Sequence, residues 1–309
     1  MAFPYRIVTA PGHAAAKQAT ALSGSGRTAI LLGDPQNAAV VKEMFEAAPE
    51  GDEVPPEALE ALQEELGGAA DVFTKEAIEA FQRYDASRAP QREAREVDEI
   101  LQVAQDLDVE DWFAARREFF EASAAVSPSL IDRLALDLEA DAWDEDEDAD
   151  VLDDGDDEQG DDAGASPGMP RELVAHLDPE TGEPVKVVAI CILPTDKNYE
   201  APGLLRFGGW GESPYPAEHV AIWRRWAQRF GATIVAITGD SLEAKVADPP
   251  QSFEEAYELA QEFELYCPEL IGELTTSLED LAGQLVGQTH WFFWWDWDYG
   301  FEDEGSDEG

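Results

Sequence analysis

From Asp141 to Gly168 the chain reads "DAWDEDEDADVLDDGDDEQGDDAGASPG". So few apolar side chains cannot bury enough surface to offset the entropy of ordering the backbone. The stretch therefore reads as a disordered, self-repelling acidic linker, and any fold must be built from the segments on either side of it. A calcium loop of the EF-hand kind is not the reading, because the ligand spacing is too irregular, and diffuse cation binding is the most the stretch would support. The expected division is an N-terminal βαβ-like unit over 1–50 and a helical region over 51–140. After the linker, 141–170, come a C-terminal α+β domain over 171–298 and an acidic tail over 299–309.

The charge extends beyond the linker: 68 acidic residues stand against 20 basic ones, a net charge of -48. Such a field repels phosphate backbones and anionic membrane surfaces, so neither nucleic acid nor a membrane is expected as a partner. The one basic cluster, Arg224, Arg225 and Arg229, falls on a predicted helix and reads as a solvated face. A basic protein is the partner class that the field favours. The same composition suits a salt-rich cytoplasm, where self-repulsion is screened over a few ångströms. Cys191 and Cys267 are too far apart to suggest a disulfide framework, and no ligand pair has metal-site spacing. No metal and no cofactor are expected. "MAFPYRIVTAPG" lacks the charged and apolar regions of a signal peptide. No apolar run reaches the roughly 18 residues of a membrane span, so a soluble, cytoplasmic chain is expected.

Periodicity fills in the elements. "PYRIVTA" and "TAILLGD" read as strands around a helix from His13 to Leu22. Helical patterns follow in "AAVVKEMFEAA", "PPEALEALQEELGG", "KEAIEAFQRY", "REVDEILQVAQDL", "VEDWFAARREFFEASAAV" and "PSLIDRLALDLEA". Beyond the linker, the continuous apolar run in "VVAICIL" predicts a fully buried strand. "PAEHVAIWRRWAQRF" predicts an amphipathic helix with Val220, Trp223, Ala227 and Phe230 on one face, closed by Gly231. Two strands around "TGDS", two helices and a final aromatic strand complete a mixed sheet packed with helices.

The candidate site residues come from the C-terminal part. "LRFGGWGESPYP" is either a rigid turn plugging the core edge or a binding loop presenting Trp210. Glu218 and His219 open the helix that follows it. The helix dipole favours Glu218 there regardless of function, and His219 is a lone candidate base. Asp240 stands in a strand-end turn that calls for Asp and Gly on its own account. Tyr266 and Cys267 end a helix before Pro268; Cys267 reads as a buried structural thiol, with a Cys267–His219 catalytic pair as the alternative. Together with Trp294, these residues form the candidate cleft.

The run from "ILPTDKNYEAPGLLRFGGWGESPYPAEHVAIWRRWAQRF" through "LYCPEL" to "HWFFWWD" resembles a bacterial domain-of-unknown-function family, number 4253 in its series. The resemblance covers residues 184–298, with weaker patches at "FPYRIVTAPG…TAILLGD" and "DEILQVAQDLDVEDWFAARRE", which imply that the N-terminal strands pack with the C-terminal domain in one fold interrupted by the linker. The family's glycine-tryptophan loop maps to Phe207, Gly208, Gly209 and Trp210, and its aromatic ending to Trp291, Phe293, Trp294, Trp295 and Asp296. Gly211 and Ser213 stand where the family usually has an asparagine and a cysteine. "PELIGEL" replaces its "PDIVDQG"-like stretch. No activity comes with the resemblance.

Two functional readings follow: a non-catalytic interaction module with an acidic surface, or a small-molecule-binding protein or hydrolase-type enzyme with a cleft around the FGGW loop. In "HWFFWWD", alternation puts Trp291, Phe293 and Trp295 on one face and Phe292 and Trp294 on the other. With both faces apolar, a central or doubly covered strand is expected. The charge yields a first prediction. The unfolding midpoint should rise from millimolar to molar salt, and a flat response would contradict a salt-adapted composition.

Overall fold

The computed structural model describes residues 2–47, 75–124, 167–179 and 181–295. The expected linker over 141–166, the stretches "PPEALEALQEELGG" and "PSLIDRLALDLEA" and the acidic tail lie outside the described residues. By compactness the chain divides into a larger unit (1–51, 88–113 and 166–309) and a smaller one (52–87 and 114–165).

Short β-branched and aromatic runs become the strands of one mixed sheet in the larger unit. They are β1 (Arg6–Ala10), β2 (Thr28–Leu31), β3 (Val188–Leu193), β4 (Thr233–Ile237), β5 (Ser241–Lys245) and β6 (His290–Trp294). Their spatial order is β1-β3-β2-β4-β5-β6. The β-branched apolar run of β3 is buried nearly throughout because it lies antiparallel between two strands: Ile7 of β1 and Ile30 of β2 both face Cys191. The βαβ-like unit is thus a split one: β1, helix α1 (Gly12–Leu22) and β2 leave a slot that β3 fills from 157 residues further along than Leu31. Leu31 pairs in parallel with Ala236 of β4, and β4, β5 and β6 continue antiparallel. The class is α+β, as expected.

Each face of the sheet has its own cover. On one, Leu242 and Ala244 of β5 and Trp291 and Phe293 of β6 meet helices α7 (Pro216–Phe230) and α8 (Phe253–Tyr266). Trp226 stacks flat on Phe293 at 5.6 Å, and Phe263 meets Trp291 edge-on at 5.0 Å. Such pairs add about 0.5–1.5 kcal/mol each beyond their buried area. Serines cap the next two helices: Glu255 N donates to Ser252 Oγ at the start of α8, and Asp280 N to Ser277 Oγ at the start of α9 (Leu278–Leu285). On the other face, the small side chains Ala15 and Ala19 let α1 sit close on Ala29, Leu31, Val188, Ile190 and Ala236. Beside α1 runs the segment after residue 167, held by Glu243 of β5. This buried carboxylate accepts from Val174 N (2.8 Å), Ala175 N (2.6 Å) and His290 Nε2 (2.9 Å).

Helix α2 (Pro35–Ala47) places Phe45 against Phe3 and Tyr5. Helices α3 (Lys75–Glu93), α4 (Val97–Asp106) and α5 (Val109–Ala124) follow. A capping box between Glu96 and Glu99 starts α4, and its Ile100 and Ala104 pack on Ala217 and Val220 of α7. A short helix, α6 (Ala201–Leu205), has no periodic signal because it is one turn containing Pro and Gly. Gly203 is needed there: a Cβ would come within 2.7 Å of Val220 Cγ2. In the smaller unit, Tyr84 stacks on Phe119 at 4.9 Å and accepts from Arg116 Nη1.

Two expectations change. Among the described residues β6 is an edge strand, paired with β5. Trp291, Phe293 and Trp295 are buried, while Phe292 and Trp294 are half-buried. Alternation reported correctly that both faces carry aromatics, but it holds no information about how many neighbours a strand has. The arginines of α7 are also not simply solvated. Arg225 and Arg229 converge on Glu262 of α8 at 2.9 and 2.6 Å, and Glu262 also accepts from Trp226 Nε1.

The topology predicts that residues 167–309 cannot fold alone. Their removal from the chain strips β3 of both neighbours and β4 of β2, leaving unmatched backbone groups in the core. That fragment should show no cooperative thermal transition; a melt near the full-length midpoint would refute the dependence.

Candidate functional site

The FGGW loop connects α6 to α7 through left-handed backbone. Arg206 has φ 53°, and Gly208 and Gly209 have φ 105° and 89°. Gly208 admits no side chain: a Cβ would lie 2.1 Å from Pro214 O and 2.5 Å from His219 Nε2. The loop closes on itself, with Gly209 N donating to Pro214 O and Ser213 N to Trp210 O, both at 2.9 Å. Phe207 and Trp210 meet edge-on at 5.0 Å and both are buried. Buried Arg206 lies over the Phe45 ring at 4.7 Å and donates to Phe45 O, which ties the loop to α2.

Beneath the loop runs a buried hydrogen-bonded chain. Trp223 Nε1 donates to Tyr266 Oη at 2.8 Å, Tyr266 Oη lies 2.6 Å from His219 Nδ1, and His219 Nε2 lies 3.3 Å from Ser213 Oγ. An indole N–H can only donate, so Tyr266 Oη accepts from Trp223. The direction of the Tyr266–His219 and His219–Ser213 bonds follows from which imidazole nitrogen carries the hydrogen. Burial drives the Tyr266 phenol well above its ordinary pKa, against the opposing Trp223 bond, and keeps it protonated.

The other candidates adjoin this chain. Cys267 Sγ lies 3.0 Å from the Trp294 carbonyl, to which it donates, so the thiol faces β6. Both ring nitrogens of His219 are engaged elsewhere, and the Cys267–His219 pair is not formed. Burial, and after it the Glu269 carboxylate, holds the Cys267 thiol well above its ordinary pKa. Cys191 is likewise a buried free thiol, raised by burial to about 12. Asp240 secures the β4–β5 turn to β6: Oδ2 accepts from Trp294 Nε1 at 3.1 Å, and its carbonyl from Trp295 N at 3.0 Å. Glu218 is fully buried, accepts from Tyr215 N and forms a two-pronged pair with Arg88 at 2.8 Å on each prong. Arg88 also lies over the Tyr215 ring at 4.4 Å.

The fold thus brings Trp210, His219 and Tyr266 into one aromatic cluster with Phe207 and Trp295, and links Asp240, Trp294 and Cys267 along β6 beside it. Arg88 and Trp223 escaped sequence reasoning as members. Arg88 lies 130 residues from its partner, and Trp223 looks like any core position of α7. Among the described residues, no group of three or more His, Cys, Asp or Glu side chains is arranged to hold a metal ion. Among them also, no helix is long and apolar enough to cross a membrane.

Residues 189–296, roughly a third of the chain, match the family model DUF4253, described as a domain of unknown function. The match falls on the segment whose motifs resemble that family and contains the whole chain from Ser213 to Tyr266. No curated protein and no solved structure matches the chain.

Tyr266→Phe should keep the packing but leave Trp223 Nε1 and His219 Nδ1 unmatched, at a cost of about 2–4 kcal/mol. Urea unfolding measures this, and a neutral variant would contradict the hydrogen-bond chain.

Proposed function

We propose that this protein is a non-catalytic interaction module whose partner is a basic protein. The observation that carries the reading is the acid-rich surface of α8, α9 and the segments flanking them, apart from Glu262, which Arg225 and Arg229 hold. Residues 246–289 contain ten carboxylates and no Lys, Arg or His. Most of these carboxylates stand on exposed or half-exposed positions. In their midst Phe253 is 50% exposed and Val286 39%. Gly287 N donates to Pro250 O, which brings the start of α8 and the end of α9 together. An aromatic anchor ringed by carboxylates suits a partner that offers an apolar pocket within a cationic surface.

The hydrolase-type alternative has less support. The residues proposed for its cleft are mostly withdrawn from solvent, and burial holds the Cys267 thiol well above its ordinary pKa.

The test is capture of partners by the full chain at low salt, followed by titration of the recovered basic protein. Phe253→Ala should weaken binding about tenfold, as loss of an anchor does, and molar salt should dissolve the complex. Recovery of no basic partner, or an affinity indifferent to Phe253, would sink the reading.

A further inference from the structure

We propose that a cavity on the α1 side of the sheet binds a small amphipathic carboxylate, a short apolar chain with one anionic end. The cavity encloses about 320 Å³, within the size range of small-molecule pockets. Ala19 and Thr20 of α1, Leu31 of β2, Leu173, Ile234 of β4 and Lys245 of β5 are among its walls. None of the walls belongs to α8 or α9, so the inference stands apart from the partner reading.

The chemistry of the walls selects the ligand. Their polar side chains are largely satisfied from within. Thr20 Oγ1 donates to Ala16 O at 2.9 Å, and Ser23 Oγ donates to Ala19 O while accepting from Ala29 N, both at 3.0 Å. The Asn198 amide spans Ile234, giving Nδ2–H to its carbonyl and taking its N–H on Oδ1. A ligand with a polar body would lose its hydration there without compensation, so the body must be apolar.

The exception is Lys245. It ends β5 on the face that also carries Glu243, and its ammonium pairs with no carboxylate among the described residues. Glu243 forms no ion pair with it: the Glu243 oxygens accept from Val174 N, Ala175 N and His290 instead. An exposed cation at the rim of an apolar cavity can hold an anionic end while the chain is buried. The overall field opposes anions, so burial supplies the affinity and Lys245 the preference for a carboxylate.

Isothermal titration of the full chain with octanoate, octanol and octylamine tests this. Octanoate should bind saturably, with octanol about tenfold weaker and octylamine weaker still. Lys245→Met should abolish the preference of octanoate over octanol. Ala16→Phe, a partly exposed wall position, should abolish binding of both. Tryptophan emission checks that both variants remain folded, and the ranking of the three ligands on the unaltered chain does not depend on either. Absence of saturable octanoate binding, octylamine binding as tightly as octanoate, or undiminished binding by folded Ala16→Phe would overturn the proposal.

Discussion

The larger unit depends on β2. This strand of four residues is buried along its whole length and joins the two halves of the sheet. On one side four of its residues pair with β3; on the other the ladder to β4 registers through Leu31 and Ala236 alone. The pairing to β3 is reinforced where the strand ends, by Leu32 N to Ala189 O and Ala189 N to Gly33 O, both at 2.8 Å. A short parallel contact at the centre of a sheet survives because α1 covers it, and the alanines of α1 allow the close approach. The domain matched at 189–296 is therefore completed by residues near the other end of the chain. Such non-local pairing carries a loop-closure cost, which here spans the whole acidic stretch.

On the opposite face the aromatic side chains carry out a different task. Trp223, Trp226, Phe263, Tyr266, Trp291, Phe293 and Trp295 form a continuous set of edge-on and stacked rings. This set gives a sheet edge a deep core, and it surrounds the Trp223–Tyr266–His219–Ser213 chain with low dielectric. In that setting each hydrogen bond is strengthened and each missing one is costly. The chain is best understood as the device that fixes the FGGW loop: His219 packs under Gly208 so closely that a single methyl group would displace it.

Much of the architecture was legible in the sequence, because period and punctuation are local. The span of α1, the burial of β3, the glycine closing α7 and the α+β class follow from patterns a few residues long. The upstream patches of the family resemblance pointed to the N-terminal strands packing with the C-terminal domain, as they do, but the split order did not follow, since nothing near Thr28–Leu31 reports which strand lies beside it. The edge position of β6 was hidden by an aromatic composition normally found in central strands. The candidate residues were found for their chemistry, yet nothing local to Trp223 reports that its indole sits on Tyr266. The role of Glu243 gave no signal, because a Glu in an alternating strand looks like a solvent-facing residue.

That last point bears on how to read so acidic a chain. Among 68 acidic residues, the informative ones are those withdrawn from water. Glu218 is held by Arg88 and Tyr215 N, Glu243 by two backbone N–H groups and His290, and Glu262 by Arg225, Arg229 and Trp226. Isolated burial of a carboxylate costs several kcal/mol, so each persists only because its partners are complete. In two of the three the partners are arginines, whose planar guanidinium can bond a carboxylate with two parallel prongs and also stack on an aromatic ring, as Arg88 does on Tyr215. Arginines, scarce in this chain, thus hold two carboxylates that lock helix α7 to its neighbours, Glu218 at its start and Glu262 across from it on α8.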